Sequence, residues 1–205
     1  MKKIILAIVA ATFMINMSSA QKQPMDLREK LTLGVKAGVN LANVYDMKGQ
    51  NFNNTAKFGL AAGAFISIPF GKYVGIQPEV LYSQKGFKAT GMLGGELTRT
   101  TNYLDVPLYI ALKPSPVITL LAGPQYSYLL KGKYDYKSNL ISGEFANDNV
   151  RKNMFGLAGG IDFNLDNLVI SGRAGWDLKE NNKNGTTTTP RYKNVWFQAT
   201  FGFRF

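Results

Sequence analysis

The 205-residue chain contains no cysteine and no histidine. The first absence removes disulfides, thiol nucleophiles and thiolate metal sites together. The second removes imidazole metal ligands and every Ser-His or Cys-His nucleophile pair. Acidic residues are few, 13 against 24 Lys and Arg, for a formal net charge of +11. Such an inventory points to no cofactor, no metal and no enzyme. The chain also lacks any apolar run of the roughly 20 residues that a membrane-spanning helix requires.

The longest apolar run, Ile4 to Ile15, follows Lys2 and Lys3 and is succeeded by the small residues Ser18 and Ala20 before Gln21. A basic start, a short apolar core and small residues ahead of a cut form a secretory signal, expected over residues 1–20, in preference to a retained anchor helix. No cysteine follows the cut, which excludes a lipid-anchored lipoprotein. Removing the first 20 of 205 residues leaves 185, with 22 basic residues once Lys2 and Lys3 are gone, against 13 acidic ones. That length suits one domain.

Beyond the signal the apolar period is 2, and it recurs eight times. In "LTLGVKAGVNLA" the odd residues Leu31 to Leu41 are apolar, and in "KFGLAAGAFISIPF" the set is Phe58, Leu60, Ala62, Ala64, Ile66 and Ile68. "YVGIQPEVLYSQ", "YLDVPLYIALK", "VITLLAGPQYSYLL", "NMFGLAGGIDFNL", "NLVISGRAGWDL" and "NVWFQATFGFRF" repeat the pattern. Segments of about ten to fourteen residues with this alternation suit tilted strands that cross a membrane. Phe70 to Lys72, Pro114 to Pro116 and Asp166 with Asn167 form short turns. Val44–Ala56, Gly86–Thr101, Lys131–Arg151 and Lys179–Arg191 form long polar connections on the other side. The fold expected is all-β, an eight-stranded antiparallel up-and-down transmembrane β-barrel over residues 31–205, preceded by a periplasmic tail at 21–30.

Alternation defines two faces without saying which is outside. The polar face carries Gly34, Gly38, Gly59, Gly63, Gly75, Gly123, Gly156, Gly160, Gly175 and Gly202. Glycine weakens an exposed strand and adds no solubility, but it suits a narrow barrel interior. The other face is aromatic near its ends, with Phe58, Tyr82, Tyr126, Tyr128, Trp176, Phe203 and Phe205, as an interfacial girdle would be. Apolar side chains are therefore expected to face lipid, which disfavours a soluble ligand-binding barrel. Pro78, Pro107 and Pro124 fall inside these strands, so bulges or strand ends are expected near them.

The segments "GVKAGVNLANV", "GIQPEVLYSQKGF", "NYLDVPLYIALKP", "AGPQYSYLL", "GLAGGIDFNL" and "FQATFGFRF" resemble the small outer-membrane β-barrels called porin family, of the PorT-like kind. The resemblance spans residues 31 to 205 and includes the three prolines. It implies an eight-stranded barrel in the outer membrane of a Gram-negative bacterium. It also implies that the last strand, with Phe201, Phe203 and Phe205, is a C-terminal assembly signal read by the barrel-assembly machinery. A family of this kind says little of activity.

The inward face holds Lys36, Lys57, Glu79, Asp105, Asp162, Arg173, Asp177 and Arg204. Glu79 with Asp105 would make a proton-handling carboxylate pair. The favoured reading is an interior charge network in which the four carboxylates pair with Arg173, Arg204, Lys36 and Lys57, because buried charges persist only when paired. An eight-stranded interior is just wide enough for side chains to fill, so a structural or interaction role in the envelope, or service as an accessory subunit, outranks a narrow porin-like channel. A lipid-acting barrel enzyme lacks the histidine and a nucleophile site.

"ENNKNG" echoes a calcium loop, but Arg191 stands where the bidentate carboxylate should be. Asn53 and Asn184 match glycosylation sequons of little weight in a bacterial envelope. Lys85, Lys88, Arg99, Lys131, Lys133, Lys137, Arg151, Lys152, Lys179, Lys183, Arg191 and Lys193 place positive charge at the rims, which is either a surface for lipopolysaccharide phosphates and outer-membrane lipid as partners or a merely solvated basic face, the two readings standing about even. Outer-membrane proteins are candidate partners of the long loops, and an exported barrel argues against nucleic acid. Tyr134, Tyr136, Leu140, Ile141 and Phe145 make the third long connection less polar, as strands rising above the membrane would, in preference to a partner-binding tip.

Overall fold

A computed structural model of the chain describes residues 25–48, 53–90, 96–136, 141–144, 151–182 and 191–205. The expected signal, 1–20, and the start of the tail, 21–24, lie outside the described residues. Nine strands follow in order: β1 (Thr32–Lys48), β2 (Asn53–Pro69), β3 (Val74–Thr90), β4 (Glu96–Leu112), β5 (Ile118–Tyr136), β6 (Ile141–Glu144), β7 (Asn153–Leu165), β8 (Leu168–Asp177) and β9 (Arg191–Arg204). Each pairs antiparallel with its neighbours; β1 joins β9, and β4 joins β5. Eight strands thus close into the expected barrel, and the four-residue β6 hydrogen-bonds to the end of β5.

The period-2 pattern sorts the side chains. On β1, Thr32, Lys36, Asn40 and Ala42 are buried inside, while Leu33, Val35, Val39 and Leu41 are exposed outside. The same inversion of a soluble core holds around the barrel, so apolar side chains point outward and polar ones inward. A closed barrel leaves no unpaired strand edge, the condition for placing strands in hydrocarbon.

The strands are longer than alternation suggests, 17 residues in β1 to β4 and 19 in β5. Most of the described parts of Val44–Ala56, Gly86–Thr101 and Lys131–Arg151 are ladder rather than loop. The outward apolar signal stops there because the strands have left hydrocarbon, yet backbone pairing continues. The interior turns apolar instead: Val44, Phe87, Ala89 and Tyr192 form a buried cluster, with the Phe87 and Tyr192 rings edge to face at 5.2 Å. Tyr136 and Ile141 pair as strand rather than loop; Leu140 and Phe145 lie outside the described residues.

The prolines neither end strands nor shift register. Pairing lapses beside each one on the side of the preceding strand: between Phe65↔Glu79 and Ile68↔Ile76 for Pro78, between Pro78↔Leu108 and Leu81↔Asp105 for Pro107, and between Pro107↔Gln125 and Ile110↔Ala122 for Pro124. A missing N–H removes one bond, and the rows on both sides of it hold the frame. The register shifts lie elsewhere, toward the long-loop end, at Tyr45/Lys48, Ala56/Ala61 and Asn102/Tyr103.

The short-turn end is covered. Asp166, with φ 52°, sits in the tight turn between β7 and β8 and accepts the backbone N–H of Met25 at 2.9 Å. The tail then crosses the mouth, where Lys113 donates to the Arg28 carbonyl at 3.1 Å and the Arg28 guanidinium lies 5.6 Å from the Tyr73 ring centroid.

Candidate functional site

The barrel interior is the place where chemistry-bearing side chains converge, because inward positions of strands that cross the bore face one another. Toward its short-turn half, four strands supply one ion cluster. Lys36 of β1 reaches Glu79 of β3 at 2.6 Å, and one Arg173 nitrogen on β8 meets Glu79 at 3.4 Å and Asp162 of β7 at 2.7 Å. Gln77 donates to Glu79 at 2.9 Å and to Asp162 at 3.2 Å. Aromatic faces wall the cluster: the Lys36 ammonium lies 5.2 Å from the Phe65 centroid and the Arg173 guanidinium 5.3 Å from that of Tyr109. Two cations and two carboxylates leave this cluster neutral.

Further along the bore, Asn40 donates to Ser83 at 2.7 Å, and Gln198 donates to Asn40 at 2.9 Å. Beyond them Lys85 pairs with Asp105 at 2.9 Å, between the rings of Tyr103 and Trp196 at 5.0 and 5.3 Å. Asp177 is held by the Asn194 amide at 2.6 Å.

Of the residues expected inside, Lys36, Glu79, Asp162 and Arg173 meet in one cluster, and Asp105 and Asp177 lie in the second region. Glu79 and Asp105 do not form a carboxylate pair, since each is taken by its own cation. Lys57 does not enter the network; it is half-buried and its ammonium donates to the Phe58 carbonyl at 3.3 Å. Arg204 is buried but pairs with no described carboxylate, and it donates to the Asp166 carbonyl at 3.2 Å. Lys57 pairs with Ala42 toward the long-loop end of β2, away from the ion cluster, and Arg204 lies at the opposite mouth, near Asp162 but not at ion-pair distance from it.

Lys85, counted among the rim charges from the sequence, is instead buried and supplies the cation of the second region. Its parity with Glu79, Leu81 and Ser83 was the signal for this. Lys113, which is not singled out by any motif, is buried on the same parity as Asp105 and Tyr109. Phe201, Phe203 and Phe205 all point outward, with Phe205 69 % exposed.

The inward glycines have a geometric cause. A Cβ on Gly38, Gly63 or Gly160 would collide with a carbonyl oxygen of the neighbouring strand, from Ala199, Val80 and Gly172 respectively. Gly34 and Gly175 make room for the rings of Phe65 and Trp196. These glycines let the sheet curl tightly and seat the aromatics across the bore.

Comparison with known proteins agrees with this architecture. A family model described as outer membrane protein beta-barrel domain matches residues 19–183. Among solved structures, Ail, the attachment invasion locus protein of Yersinia pestis, in complex with the heparin analogue sucrose octasulfate, is similar at a TM-score of 0.52 and 13 % identity, covering 85 % of this chain and 99 % of that one. OprG from Pseudomonas aeruginosa has a TM-score of 0.49 at 12 % identity, with 85 % and 95 % covered. Neisserial surface protein A has 0.49 at 9 %, with 85 % and 97 % covered. At 13 % identity the likeness to Ail concerns fold alone. By sequence, no curated protein matches the chain.

Proposed function

The chain belongs to the outer membrane protein β-barrel domain family and lies in the outer membrane of a Gram-negative bacterium, and on that premise we propose that it is a plugged barrel with a structural or interaction role in the envelope. In this reading it acts as an envelope component or as an accessory subunit of an outer-membrane complex, without catalysis.

The observation behind this reading is the filled bore. Lys36, Glu79, Arg173 and Tyr109 lock together across it, and Tyr109 is 1 % exposed. Water-filled channels of useful width belong to barrels of about 16 strands. The space beside the inward glycines is taken by neighbouring backbone and rings. Single-channel recording from protein shown to be folded by heat-modifiable gel mobility tests this. Silence supports the plugged reading, and discrete reproducible steps overturn it in favour of the narrow channel.

The exposed rim lysines Lys88, Lys131, Lys133, Lys152 and Lys179 stand at the long-loop end, where lipopolysaccharide phosphates are the natural counter-charges. Co-purified lipopolysaccharide that is lost at high salt would support this partner. The outward aromatic row of Phe201, Phe203 and Phe205 suits recognition by the barrel-assembly machinery.

A further inference from the structure

We propose that the periplasmic mouth of the barrel binds one small monatomic anion of chloride's size, held between Lys113 and Arg204. Both cations are deeply buried, Lys113 at 4 % exposure and Arg204 at 9 %. Neither has a carboxylate at ion-pair distance among the described residues. Lys113 donates to the Arg28 carbonyl at 3.1 Å and to the Ser67 hydroxyl at 3.2 Å. The Arg204 guanidinium donates once among the described residues, to the Asp166 carbonyl at 3.2 Å, and its Nε is buried without a partner. Two buried positive charges resting on neutral oxygens are costly unless something compensates them.

The carboxylates that might compensate are already committed. Asp162 lines the same space and its charge acts on Arg204, but it is shared with Arg173 at 2.7 Å and Gln77 at 3.2 Å and leaves Lys113 without a carboxylate. Glu79 is shared by Lys36 and Arg173, so the adjoining cluster is neutral and has no negative charge to spare. Burial and the nearby Arg204 charge push the Lys113 ammonium below its ordinary pKa, a cost that a bound anion offsets.

A cavity fits between them. It measures about 10 Å³ and is lined by Lys113, Arg204, Ser67, Thr119 and Asn164, with Leu27 and Arg28 of the tail over it. Space of that size admits one water-sized body, and a chloride, slightly larger, fits with a small shift of the flexible Lys113 side chain. Water would satisfy the orphaned Nε but not the charge, chloride does both, and a phosphate with four oxygens is too large. An anion here also ties the tail, through Lys113, to the closing strand β9.

The test uses the folded mature barrel in detergent, with chloride and bromide as probes. Crystals grown in bromide should show an anomalous peak in contact with Lys113 Nζ and Arg204 Nε. In solution, chlorine-35 line broadening should be competed away by bromide and not by phosphate. Lys113→Gln should weaken it roughly tenfold, the scale of one charge-assisted hydrogen bond, while Lys72→Gln on the exposed turn leaves it unchanged. An empty cavity in bromide, or equal broadening from wild type and Lys113→Gln, overturns the proposal, and equal competition by phosphate overturns the size assignment. If Lys113→Gln does not fold, the wild-type bromide map decides alone. Conductance enters none of these readouts, so the site and the plugged-barrel reading can fail separately.

Discussion

Lys36 of β1 and Glu79 of β3 meet at 2.6 Å although β2 lies between their strands. In the ladder Lys36 pairs with Gly63 and Glu79 with Phe65, so the contact spans a strand whose nearest inward position carries no side chain. A side chain can reach over a whole strand only where the wall curls strongly. This pair thus expresses both the small bore and the glycines that permit it.

Glu79→Gln should leave Lys36 buried beside a neutral amide and destabilise the barrel by roughly 3–5 kcal/mol. Adding Lys36→Met restores neutrality, since Arg173 still faces Asp162, and should recover most of the loss. Urea midpoints read from gel mobility would check both. A double variant no more stable than the single one would mean that packing, and not charge balance, governs the cluster.

Ala64 and Val106 point outward near mid-strand. Ala64→Arg or Val106→Arg should hinder insertion by roughly 2–4 kcal/mol, the cost of a cation at the bilayer midplane. Wild-type yield of heat-modifiable barrel from either variant would contradict the orientation of the two faces.

Two glycines on opposite faces should respond differently. Gly38→Val drives a side chain against the Ala199 carbonyl and should cost at least about 1–3 kcal/mol. Gly172 faces out, and an added Cβ would meet only the Ile161 side chain, at 3.9 Å. Gly172→Ala should be neutral within about 0.5 kcal/mol. Comparing their unfolding midpoints tests whether the inward glycines exist for close backbone approach.

Deleting Phe205 removes one backbone hydrogen bond, its N–H to the Leu33 carbonyl at 2.9 Å, worth about 1 kcal/mol. Folding in detergent should change little, whereas assembly in cells should fall sharply if the aromatic end is a recognition signal. Equal losses in the two settings would sink the signal.

Asp26 in the tail accepts the Arg28 guanidinium at 2.7 and 2.9 Å, which holds its carboxyl down to about 2. For an acid with a lowered folded-state pKa, the stabilisation is present above the ordinary carboxylate value and is lost as pH falls through about 2. The tail should therefore keep this turn at pH 4 and release it near pH 2. A carbon-13 titration of the Asp26 carboxyl with a midpoint near its ordinary 3.8 would show that the pairing does not persist in solution.

The strand count, the closed barrel and the outward apolar face are legible in the eight period-2 segments, because hydrocarbon on one side and a narrow bore on the other impose opposite demands on alternate residues. Chain order is enough for this, since each strand pairs with the next. The upper halves of β1 to β5 are not legible, because outside the membrane lipid no longer selects the outward residues and pairing leaves no periodic trace. The interior roster could be listed from parity, but its partnerships could not. Whether Glu79 meets Lys36 or Asp105, whether Lys85 lies at a rim or in the bore, and whether Arg204 finds a carboxylate all depend on register and curl. These bring residues from strands far apart in sequence to within 3 Å, a distance set by the closed tertiary structure and recorded nowhere along the chain.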